Sequence, residues 1–422
     1  MIPLKRHANI ALFYFVLVGL LGLFLRLFFV IPLGANFRYV VHAHSHIALL
    51  GWVYLGLTTL IYRLYFQDHH KGKVYRRIFI FTNITVVGML VTFPFTGYAA
   101  LSITFSTLFL ISSYFFGWFV FKNIPPHFKS SASYRCIRAA IIYLIVSSIG
   151  PWAIGAVMAT LGNTSIWYHL SIYFYLHFQY NAWFILALTG FLLYIIEKKG
   201  IEVPPQQFNK FFRLFNAGLI LSLFLSALWT EPPAIVYLLA GAGALFQAWA
   251  VVLLLSMLRP YWPSLKTSIK TFPRRLLVLA FWLFVGKVVM QIFNGIPFFA
   301  TLAYHYPDLV IGYLHWIFLG VVSIALLAYL HHFRLIRLLV FPFWIYLCGF
   351  IASELLIFYR GIALWLGWPF PLEHPGLLLG LSALMPLTIY FLFIYNYTHP
   401  LPASKEGDSQ VFYAPAESEE AS

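Results

Sequence analysis

Twelve apolar runs follow one another along this chain, near 8–32, 43–66, 78–95, 98–121, 138–160, 168–196, 211–230, 233–258, 275–297, 309–330, 338–359 and 376–396. Each is about as long as the ~20 residues a helix needs to cross ~30 Å of hydrocarbon. In lipid a spanning segment must satisfy its own backbone polar groups, so runs of this length read as helices. The expected fold is all-α: a polytopic bundle of about twelve transmembrane helices over 1–398. The chain is 62% hydrophobic and 9% charged, with a mean hydropathy of +0.84, which excludes an ordinary soluble domain. The first run is too long for a signal-peptide core and lacks a small-residue cleavage site, so it reads as a retained helix.

Lys and Arg favour the cytoplasmic loops of membrane proteins. Here they cluster at Lys5 and Arg6, at Lys71 to Arg77, at Lys122 to Arg138, at Lys198 to Arg213, at Arg259 to Arg275, and at Arg334 and Arg337. Each cluster precedes the first run or lies between an even-numbered run and the next odd one. Both termini are therefore expected in the cytoplasm, and the loop charges suit a bacterial inner membrane. The formal charge of +15 is accounted for by topology and anionic lipid, without nucleic acid. Residues 399–422, with Pro400, Pro402, Pro415 and acidic Glu417, Glu419 and Glu420, read as a disordered cytoplasmic tail. Cys136 and Cys348 form no paired thiol motif, and no internal repeat stands out.

Polar groups inside a membrane are costly, so histidines within the runs mark candidate sites. His7, His69, His70, His127, His331, His332 and His399 fall at cytoplasmic ends and read as interfacial side chains; His305 and His374 fall in outer loops and read as surface residues. The outer ends of the second, sixth and tenth runs are different. The segment His42-Ala-His-Ser-His46 opens the second. A helical step of ~100° sets His42 and His46 about 40° apart and His44 some 200° from both, so one helix can serve two sites. The sixth run carries His169 and, about 12 Å deeper, His177, followed by Gln179 and Asn181. The tenth carries His315, an isolated polar side chain that needs a partner such as iron.

The segment His44-Ser-His-Ile-Ala-Leu-Leu-Gly51 resembles the helix-two haem-ligand segment of the haem-copper oxidase superfamily, whose large subunit is cytochrome c oxidase subunit I. It is most similar to the nitric oxide reductase and cbb3-type branch and to NnrS-like haem- and copper-containing membrane proteins. That resemblance implies His44 and His315 as axial ligands of a low-spin haem, of b type. It implies a second site, holding copper, non-haem iron or another haem, near His46, His177 and, less directly, His42 and His169. Arg360 would stand among the propionate-binding arginines, with Arg38 the other outer-side arginine; each is otherwise a snorkelling side chain. The chain departs from the pattern in two places. Tyr313-Leu-His315 replaces a His-x-His pair on helix ten, and residues 211–230 contain no histidine. The expected chemistry is electron transport, or binding and reduction of a diatomic ligand, nitric oxide rather than oxygen. With no Cys-x-x-Cys-His motif, electrons would come from a quinol, a cytochrome or a partner membrane subunit.

Lys287, Gln291 and Asn294 form one stripe on the ninth run, and Glu354 lies in the eleventh. These residues suit proton conduction, or a Lys287–Glu354 ion pair, since buried charges are tolerated mainly when paired. They also suit a secondary transporter, the alternative class, for which twelve helices are equally natural. A cofactor-free respiratory assembly factor is a third reading.

Overall fold

The computed structural model describes residues 3–67 and 71–401, so most of the expected tail lies outside the described residues. Among these residues the chain is helical with no strand. Twelve helices are long and apolar enough to span a membrane: α1 (Leu4–Leu27), α2 (Phe37–Tyr65), α3 (Gly72–Thr96), α4 (Ala100–Asn123), α5 (Ala132–Thr160), α6 (Ile166–Glu197), α7 (Pro205–Thr230), α8 (Ala234–Ser268), α9 (Thr271–Asn294), α10 (Pro307–His332), α11 (Val340–Leu366) and α12 (His374–Thr398). The protein is an integral membrane helical bundle. An even number of spans brings both ends of the bundle to one side, where Lys5 Nζ donates to the Leu401 carbonyl at 3.0 Å. We call this the terminal side and its opposite the far side.

Local chemistry sets the far-side helix starts that matter for the site. Asn36 caps α2 by accepting from the Tyr39 amide at 3.3 Å, and Ser165 caps α6 by accepting from the Trp167 amide at 3.3 Å. Gly97 ends α3 at φ +59°, and a Cβ there would meet the Tyr39 ring at 2.4 Å. Only glycine gives both that turn and that close approach. The contact ties the end of α3 to the first turn of α2, just before His42.

The packing repeats every four helices. α3 lies on α4, α7 on α8 and α11 on α12; α4 lies on α5, α8 on α9 and α12 on α1. Within each unit α1, α5 and α9 pack on α2, α6 and α10. No repeat stands out in the residues, and the packing supplies one. At the centre α2, α6 and α10 are stitched pairwise: Trp52 Nε1 donates to Ser323 Oγ at 2.8 Å, Tyr194 Oη to the Leu64 carbonyl at 2.9 Å, and Tyr329 Oη to the Leu188 carbonyl at 3.1 Å. All six residues are buried.

Each central helix also widens into a π turn at the same place. The turns span Ile47–Val53, Phe178–Phe184 and Trp316–Ser323. They begin immediately after His46, His177 and His315, the histidines singled out by sequence. A π turn inserts one extra residue per turn and re-aims the side chains around it, which is why such turns gather at functional sites.

Candidate functional site

His44 and His315 come together at the far side, between α1, α2, α10 and α11. His44 turns toward α1, where its Nδ1 lies 3.1 Å from the Val18 carbonyl. Its ring rests on Gly22, whose absent Cβ would stand 3.2 Å from Cε1. His315 Nδ1 lies 3.7 Å from Glu354 Oε1 on α11. The two imidazoles lie within electrostatic reach of each other, with the Arg26 guanidinium beside both. Neither Nε2 has a hydrogen-bond partner among the described residues, and neither is sealed by protein. Protein surrounds His315, yet 27% of its side chain is open.

The ionic surround is denser than the sequence suggested. Arg26, near the far end of α1, is a third far-side arginine that reading only the loops had missed; it sits among Glu354, Asp308 and Arg360. Arg360 pairs with Asp308 at 3.5 Å, and its guanidinium stacks over Phe29 at 5.3 Å. Arg38 is exposed, with His42 and Tyr98 as its polar neighbours, and stands apart from this group. Both Glu354 oxygens are buried without a hydrogen-bond partner, because 3.7 Å exceeds hydrogen-bonding range. That leaves room for a water, or for a small closure onto His315.

The residues present fit one haem. The two imidazoles stand on facing helices with Nε2 unbonded; the Val18 carbonyl holds the His44 ring through Nδ1, the support that fixes tautomer and ring plane in ligating histidines, and Glu354 stands 3.7 Å from His315 Nδ1. Arg26 and Arg360 are the cations that would hold a haem's propionates there.

The other histidines lie elsewhere. His42 and His46 occupy the opposite face of α2, as their spacing from His44 predicts. His46 Nδ1 lies 2.7 Å from the His42 carbonyl, and both rings pack on Phe93 and Tyr98. His169 is exposed against Trp229, at 6.0 Å between ring centroids. His177 is buried on α6, with Nε2 2.8 Å from the Leu219 carbonyl and Nδ1 3.1 Å from Asn181 Nδ2. No group of three or more His, Cys, Asp or Glu side chains converges to hold a metal ion among the described residues.

Lys287 and Glu354 do not pair. Lys287 donates to Gln291 and, at 3.4 Å, to Gln247 on α8, whereas Glu354 faces His315. The expected ion pair fails because α9 turns that lysine toward α8, away from α11. Asn294 is half-buried and adds no hydrogen bond to the stripe.

No protein-family model matches the chain, and no curated protein matches it in sequence.

Proposed function

We propose that this chain is a haem-carrying membrane protein in which His44 and His315 hold one b-type haem between α2 and α10, and that its work is electron transfer. The observation that carries the reading is the pair of imidazoles on facing helices within electrostatic reach of each other, His44 held through Nδ1 by the Val18 carbonyl and His315 beside Glu354, each with Nε2 unbonded. The haem would supply a one-electron carrier whose potential is set by its ligands and surroundings. The chain's own residues do the rest. The Val18 carbonyl fixes the His44 ring, and Glu354, on closing the 3.7 Å to His315 Nδ1, would orient that ring and strengthen it as a donor. Arg26 and Arg360 hold negative charge at the far side. The apolar flanks of α1 and α11 exclude water, which favours a low-dielectric site.

With both His44 and His315 as its protein ligands, the haem would supply electron transfer rather than chemistry at the iron. Binding or reduction of nitric oxide is the second reading, and the looser hold on His315, at 3.7 Å with an open flank, favours it: that ligand can be displaced. The donor would be a quinol or a cytochrome at the membrane, and the membrane the bacterial inner one. The transporter and assembly-factor readings predict a colourless protein.

The test is a reduced-minus-oxidised visible spectrum of the detergent-purified full chain beside His44→Ala and His315→Ala. The reading expects sharp α and Soret bands in the parent and their loss in both variants, with folding retained. A colourless, folded parent from haem-replete cells contradicts it and brings transport through the Lys287 region forward.

A further inference from the structure

The quasi-threefold packing sets His177 on α6 in the place that His315 holds on α10, one residue before a π turn. The surroundings differ in kind. His177 is closed: its Nε2–H donates to the Leu219 carbonyl, and its Nδ1 accepts from the Asn181 amide. A neutral imidazole has one donor and one acceptor, so this geometry fixes the tautomer and leaves no lone pair for a metal. His315 and His44 each keep a nitrogen free.

What stands near His177 is an amine. Lys287 on α9 is 1% exposed and lies within electrostatic reach of His177. Its Nζ donates to the side-chain oxygens of Gln291 and Gln247. Gln247 is itself anchored on α7, its Nε2 donating to Ser222 Oγ at 2.6 Å and to the Gly218 carbonyl at 3.3 Å. The hydrogen bonds thus run from α6 through α7 and α8 to α9. The two amide oxygens meeting at Nζ are hard donors of the kind that receive a cation. No carboxylate takes part. Gln291 Nε2 and Asn181 Oδ1 remain buried without partners.

We propose that His177, with both ring nitrogens engaged, is closed to metal and that the buried Lys287 amine is the cation of that region, so that beside the one haem proposed above the His177 region holds neither copper nor non-haem iron. The single-haem part rests on the reading of His44 and His315 above. The exclusion of a second metal rests on the His177 and Lys287 geometry alone.

The experiment is metal analysis of the chelator-washed full chain from cells supplied with iron and copper, with haem counted separately as its pyridine adduct. The expected result is iron equal to haem, and copper far below one per chain, in the parent and in His177→Ala alike. Lys287→Met is expected to keep the parent's haem bands while melting at lower temperature, because two buried amide oxygens lose their donor. Copper, or iron in excess of haem, at one per chain overturns the proposal. If Lys287→Met fails to fold, the count on the parent still decides. Absence of haem with absence of copper and iron removes the His44–His315 reading while leaving the second site closed, so the two failures are distinguishable.

Discussion

Gly22 governs how closely His44 can approach α1. With 3.2 Å between its absent Cβ and the imidazole, a single methyl is tight and a branched side chain must push the ring off the Val18 carbonyl. Gly22→Val is therefore expected to lower haem affinity about 10- to 100-fold, the range seen when the support of a ligating histidine is lost. Haem retention during gel filtration checks this, and undiminished retention would detach His44 from the cofactor. The two faces of the His42, His44 and His46 segment were legible from the 100° helical step alone. Arg26 was not, because a lone arginine inside Leu-Phe-Leu-Arg-Leu-Phe-Phe looks like part of an apolar run. The partners of Lys287 and Glu354 were equally hidden, since periodicity reports which face a residue occupies but not which of eleven other helices covers it.

At the scale of elements, the three π turns hold the central helices in the register that aims the histidines. Sequence periodicity did not reveal them, because one extra residue in a uniformly apolar stretch leaves no mark on the hydrophobic pattern. Their consequences are visible in Trp52, whose indole crosses from the π turn of α2 to Ser323 in the π turn of α10 and stacks on Phe15 at 4.5 Å. Trp52→Phe keeps the stacking and removes the hydrogen bond. Side-chain hydrogen bonds between membrane helices contribute about 0.6 kcal/mol on average and up to ~1.7. We expect a loss near 1 kcal/mol in a denaturant titration in detergent, with a small shift in the haem bands because the tie lies one to two turns below His315. A loss within error would mean that α2 and α10 are held by packing alone.

The whole molecule was the most legible scale in one respect and the least in another. Counting apolar runs found all twelve spans, because ~30 Å of hydrocarbon imposes a length that composition cannot disguise. The first run was displaced, expected at 8–32 and found at Leu4–Leu27, because Phe28 to Ile31 are apolar yet lie beyond the helix. The four-helix repeat stayed hidden because it resides in which helices touch, and lipid-facing and buried surfaces here are both apolar. The basic loops add an expectation about sidedness that the shared terminal side makes simple to check. Fluorescent-protein fusions at the N-terminus and at the C-terminus should both fluoresce in a bacterial host, and alkaline phosphatase fusions at both should stay inactive. Opposite results at the two ends would break the twelve-span topology, and reversal at both would break the charge argument.

Low-temperature electron paramagnetic resonance of the ferric full chain, beside His315→Ala, tests the central claim most directly. Two imidazoles at one iron predict a low-spin signal in the parent and its conversion to a high-spin signal when His315 is removed. A low-spin signal untouched by loss of His315, or a high-spin signal in the parent, would contradict the assignment of His44 and His315 as the two ligands of one haem.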